Sequence, residues 1–145
     1  MEAISPYIIA GALGWLSAQL VKYMLLSIRK KQFVPARQLY FSGNMPSAHS
    51  ATTIAVLVVI GVYDGVQSGL FGLALVFASV VLYDAMMVRR SSGEQGRALT
   101  EMIAEQKSKV PLPRVAKGHT PTEVAVGACL GVVVGLVVIV LGLGS

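Results

Sequence analysis

The sequence predicts an all-α integral membrane protein: a bundle of about four transmembrane helices with one short amphipathic helix. Three observations carry this. First, hydrophobic residues make up 54% of the 145-residue chain and charged residues only 13%, with a mean hydropathy of +0.70. That is too apolar for an ordinary soluble domain. Second, the apolar residues gather into runs near the ~20 residues that cross a bilayer. Third, 11 of the 12 Lys and Arg residues fall in two stretches, 29–45 and 89–120, that alternate with those runs. The chain reads as one membrane domain over residues 1–145.

The first span runs from about Tyr7 to Ile28, with Gln19 and Lys22 in its second half. No basic region precedes it and Glu2 is the only early charge, so it reads as a retained span rather than a cleaved signal peptide. Residues 29–45 form a basic loop with Arg29, Lys30, Lys31 and Arg37. The second span, from about Ser47 to Tyr63, is short for a crossing. A tight link, 64–68, holds Asp64 and Gly65. The third span runs from about Gly69 to Val88 and carries Asp84 near its end. Within the polar stretch 89–120, Leu99, Met102, Ile103 and Gln106 follow helical spacing, which predicts the short amphipathic helix from about Glu94 to Lys107. Pro111 and Pro113 are expected to end it. The fourth span runs from about Pro121 to Leu143. Gly127, Gly131 and Gly135 make a small-residue stripe on it, suited to close helix packing within the bundle or between protomers.

Four spans put both termini on one side and both long polar stretches on the other. The positive-inside rule then places the 29–45 and 89–120 stretches in the cytoplasm or its equivalent. Consequently the start of span two, the end of span three and the start of span four open on one face. The net charge of +5 does not point to nucleic acid, because the basic residues alternate with spans instead of forming a soluble basic face. An anionic lipid or phosphate substrate is the expected partner. The single cysteine, Cys129, excludes an internal disulfide and a Cys-rich metal site. A homodimer through small-residue helix faces fits so small a bundle.

The chain has two histidines, and each sits where an apolar span begins. His49 lies in Met45-Pro46-Ser47-Ala48-His49-Ser50, and His119 in Gly118-His119-Thr120-Pro121-Thr122-Glu123. Helix N-termini offer free backbone N–H groups and the positive end of the helix dipole, which suit an anion. A histidine there can serve as nucleophile or general acid in phosphoryl transfer. Ser47, Ser50 and the Gly43 and Gly118 backbones could add donors. Thr120 followed by Pro121 and Glu123 is a capping box, so Glu123 reads as a helix cap, as a partner that orients His119, or as both. Asp84 with Arg89 and Arg90 reads equally as a topogenic ion pair or as an arginine clamp on phosphate. Lys22 and Arg29 share a helix face seven residues apart, either snorkelling to the interface or reaching a polar pocket.

These residues resemble a known group. The Met45–Ser50 stretch is similar to the Pro-Ser-Gly-His motif of the type 2 phosphatidic acid phosphatase superfamily, which includes vanadium-dependent haloperoxidases. Gly118–Glu123 is similar to the end of its third motif, and Lys22 with Arg29 to its first. With Tyr83-Asp84-Ala85 and Val88-Arg89-Arg90, the pattern resembles the small, divergent membrane branch of that superfamily. The resemblance implies a lipid-phosphate phosphatase with His119 as the nucleophile that forms a phosphohistidine. Glu123 would orient His119, and His49 would protonate the leaving alkoxide. Ser47, the backbone at Ala48, Lys22 and Arg29 would hold phosphate oxygens. Ala48 stands where the motif has glycine, and Pro113 where its third motif has a Ser-Arg pair, which points to Arg89 or Arg90 as the clamp. No metal or other cofactor is required by this chemistry; Mg²⁺ at Asp84 is compatible with it, although one carboxylate does not make a site. Two other classes fit the sequence: a non-catalytic binder of anionic lipid, and a small transporter or channel subunit lined by Asp84, Lys22 and Gln19.

Overall fold

The computed structural model describes residues 4–31, 45–113, 115 and 118–144. Arg37, Gly43 and Arg114 lie outside them. The described residues are helical, without strands: α1 (Pro6–Lys30), α2 (Ala48–Tyr63), α3 (Gly69–Tyr83), a π turn (Asp84–Val88), α4 (Arg89–Glu105) and α5 (Pro121–Val140). Three helices are long and apolar enough to cross a membrane, and α2 is a shorter apolar helix.

Local chemistry sets the helix ends. Pro6 opens α1 in the first turn, where its missing N–H costs nothing. Lys31 closes α1 in the left-handed region at φ 51° and returns its N–H to Ile28 O. Ser68 caps α3 by accepting from the Phe71 N–H at 3.1 Å. Thr120 and Glu123 form the full capping box of α5.

Helix α2 is the centre, packed against α1, α3 and α5. Its 16 residues span about 24 Å at 1.5 Å each, short of the ~30 Å hydrocarbon core. Its N-terminus is accordingly enclosed in protein: Pro46, Ser47 and Ser50 are fully buried. Small residues let its neighbours close in. Along α1, Ala10, Gly14, Ala18, Lys22 and Leu26 are buried at four-residue spacing; Ala10, Gly14 and Ala18 of that face pack on α2. Along α5, a Cβ on Gly127 would lie 2.4 Å from Ser47 O, and one on Gly131 would lie 2.6 Å from Ala51 O. The glycine stripe is therefore a seam within the chain. The perimeter is apolar and exposed, with Leu16 and Leu20 on α1, Val76 and Phe77 on α3 and Val133 and Leu136 on α5, as a lipid-facing surface requires.

One element differs from expectation. The amphipathic segment is not a separate helix set within a polar loop. It continues the third span, so that Gly69–Glu105 forms one 37-residue helix. Nothing in 84–105 breaks it: there is no proline, and the pairs Asp84–Arg89 and Arg90–Glu94 bridge neighbouring turns. It ends at Glu105, with Lys107 in the left-handed region at φ 49°, before either proline is reached. Likewise Arg29 and Lys30, expected in the basic loop, form the last turn of α1.

Candidate functional site

The site gathers around the buried start of α2. Ser47 caps that helix: its Oγ accepts from the Ser50 N–H at 3.4 Å and from the Ser50 hydroxyl at 2.9 Å. The Ser47 N–H donates to Glu123 O at 3.1 Å, tying the α2 cap to the first turn of α5. Gly127, one turn along α5, makes this approach possible. Thus the two histidine-bearing segments, 70 residues apart in sequence (119 − 49), are joined directly. Ala48 is buried with Ala18 and Ala51.

His119 is held at two points. Its backbone N–H donates to Ala85 O at 3.0 Å. Its Nδ1 lies 3.2 Å from Glu123 Oε2. The same Oε2 accepts from the Thr120 N–H at 3.0 Å, so Glu123 caps α5 and orients the imidazole at once. With Nδ1–H donating to the carboxylate, the lone pair resides on Nε2. Burial pushes the imidazole below its ordinary pKa; the Glu123 hydrogen bond and charge oppose that, while Lys22 and Arg89 add to the lowering. The balance of these influences favours the neutral imidazole.

Around this pair stand the charges. Lys22 is buried, and its charge bears on Glu123 and on both histidines. His49, the second residue of α2, is exposed and feels Arg89, His119, Lys22 and Asp84. Arg89 Nε meets Asp84 Oδ2 at 3.1 Å. The structure thus brings Lys22, Ser47, Ala48, His49, Asp84, Arg89, His119 and Glu123 into one neighbourhood. It does not bring in the other two candidates. Arg29 is exposed at the end of α1, about 10 Å farther along the axis than Lys22. Arg90 turns to Glu94 Oε1 at 3.1 Å with a largely exposed side chain. Among the described residues no three His, Cys, Asp or Glu side chains are grouped to hold a metal.

Sequence reasoning passed over the Ala85 carbonyl, which anchors His119. It also left open where Lys22 points, although the register of Ala10, Gly14 and Ala18 leads straight to it.

The electrostatics give a prediction. In Glu123→Gln the influences that raise the His119 pKa are lost, so an NMR titration should find the imidazole protonating at lower pH than in the wild type. The sign for stability follows. Unfolded histidine protonates near about 6.5 and folded His119 lower, so its contribution is present above that pH and is lost as pH falls through the folded value.

A family model described as the divergent PAP2 family matches residues 4–134. An uncharacterized membrane protein of Bacillus subtilis (strain 168), YuiD, is 31% identical over 126 residues, covering 73% of this chain and 80% of its own length. No solved structure matches the chain.

Proposed function

The chain belongs to the divergent PAP2 family, and on that premise we propose that it is a membrane lipid-phosphate phosphatase working through a phosphohistidine. One observation supports this above the others: a buried His119 whose Nδ1 is held by Glu123 stands in the same charged neighbourhood as His49, at the start of α2.

The chemistry follows from the groups present. His119 Nε2 attacks the phosphorus of a lipid phosphomonoester or diphosphate. The P–O bond to the leaving group breaks as His49, in its protonated form, gives its proton to the departing oxygen. The exposure of His49 lets it regain or exchange protons with water. Water then attacks the phosphohistidine while His49, now neutral, takes its proton, and inorganic phosphate leaves. Lys22, Arg89 and the N-terminal dipole of α2 offset the charge that grows on the phosphoryl oxygens. The Ser47 oxygen accepts within its cap, which leaves its O–H to donate to a phosphate oxygen beside the backbone and dipole of that segment. The reaction needs no metal in any of these steps. Lipid tails would lie against the apolar perimeter, with the headgroup entering from the cytoplasmic side given by the distribution of Lys and Arg.

A second reading has one observation in its favour. Ala48 stands where the motif has glycine, with its side chain buried beside Ala18 and Ala51, and this departure from the motif suits a binder of anionic lipid without turnover. Phosphate release by the detergent-solubilised protein separates the two, with phosphatidate, phosphatidylglycerophosphate and a polyprenyl phosphate as substrates. Release from any of them supports the phosphatase. No release from all three, with vanadate still bound, supports the binder.

A further inference from the structure

The stretch Asp84–Val88 is more elaborate than an ordinary helix end. Here the helix adopts π register, and the Arg89 N–H reaches back to Asp84 O. In α register its acceptor would have been Ala85 O. The Ala85 carbonyl instead receives the His119 N–H at 3.0 Å. Next to it, Gly118 lies against the next turn, where a Cβ would come within 2.7 Å of Arg90 N. The π turn therefore docks the His119 segment onto a helix that otherwise runs without interruption. Such single π turns are frequent at functional sites.

The same turn separates two adjacent arginines. Successive residues of a helix point about 100° apart. Arg89 points into the site, where its Nε binds Asp84 and its charge reaches both histidines. Arg90 points out, to Glu94. The Asp84–Arg89 pair is about half exposed, with side chains 43% and 44% accessible, so it adds little to folding stability. Its geometry is more telling: an Arg held by Nε keeps its two terminal amino groups, a planar fork, free for a phosphoryl group.

We infer that Arg89 clamps the phosphoryl oxygens of the ligand, and that Asp84 is the positioning residue that aims it across the π turn. The ligand class, a phosphomonoester headgroup, rests on the phosphatase reading; the clamp itself is tested without turnover. Vanadate, which mimics the transferring phosphoryl, is titrated into purified protein in detergent. Arg89→Ala should weaken its binding about ten- to a hundredfold, the effect of losing charge-assisted hydrogen bonds. Arg90→Ala should stay within about twofold, as expected of an exposed surface pair. Asp84→Asn should fall between, with an unchanged melting temperature, and Asp84→Glu should recover part of the loss. In the double variant Asp84→Asn/Arg89→Ala, binding should match that of Arg89→Ala alone, because Asp84 acts through Arg89. Equal losses in Arg89→Ala and Arg90→Ala, or additive losses in the double variant, would overturn the inference. So would a wild type that binds no vanadate. Vanadate binding that follows the expected pattern without phosphate release from any lipid would instead sink the phosphatase reading and leave the clamp standing.

Discussion

His119→Ala is expected to lower phosphate release by at least about a thousandfold, the scale at which removal of a covalent nucleophile acts. The loss should be chemical rather than structural. Glu123 Oε2 still accepts the Thr120 N–H in that variant, so the α5 cap survives and the melting temperature in detergent should change little. His49→Ala separates the two histidine roles. With a lipid alkoxide as leaving group it should also be severely slow. With an aryl phosphate such as p-nitrophenyl phosphate, whose leaving group departs without a proton, most of that loss should disappear at the first step. Phosphate release that survives His119→Ala would contradict the assignment.

Gly127→Val is the second large effect, and it acts through packing. The glycine Cα faces Ser47 so closely that a first side-chain atom would lie 2.4 Å from Ser47 O and 3.1 Å from Ser47 N. Both are backbone atoms of a cap and cannot turn aside. Helix α5 must therefore move off α2, and the Ser47 N–H···Glu123 O bond goes with it. Overpacking of this kind costs about 1–3 kcal/mol. A lower melting temperature is expected together with a loss of activity, because the two histidine segments are joined at that point. Val133→Leu on the exposed face of the same helix should leave both unchanged. A Gly127→Val protein of normal stability and activity would show that the seam does not hold the site together.

Much of this was legible in the sequence, for identifiable reasons. Hydropathy and charge alternation gave the apolar helices, because lipid leaves the backbone few other solutions. The capping box at Thr120–Glu123 marked the start of α5, because it satisfies donors that every helix start leaves open. Topology alone brought His49 and His119 to the same end of the bundle. What stayed hidden depended on tertiary contact. Asp84-Ala85-Met86-Met87-Val88 contains nothing that disfavours α register; the π turn is tied to the demand of a His119 N–H that lies 34 residues away (119 − 85). For the same reason the sequence could not choose between Arg89 and Arg90. Lys22 and Arg29 share a face, as their spacing implied, but a helical wheel has no axial coordinate. Ala18 packs beside Ala48 at the start of α2, Lys22 lies about one turn beyond it and Arg29 about three. The continuity of α3 with α4 was missed because the change from apolar to polar composition at Arg89 looks like a helix end, whereas the helix runs on through it to Glu105.

Covalent transfer of phosphate to His119 is the step on which the mechanism turns, and the intermediate can be trapped. Wild-type protein would be mixed with lipid labelled in its phosphate with ³²P, quenched in alkali within the first turnover, digested and mapped. The account predicts an alkali-stable, acid-labile label on the peptide carrying His119. That label should be absent from His119→Ala. Sustained phosphate release with no label on that peptide, or the same label in His119→Ala, would contradict it.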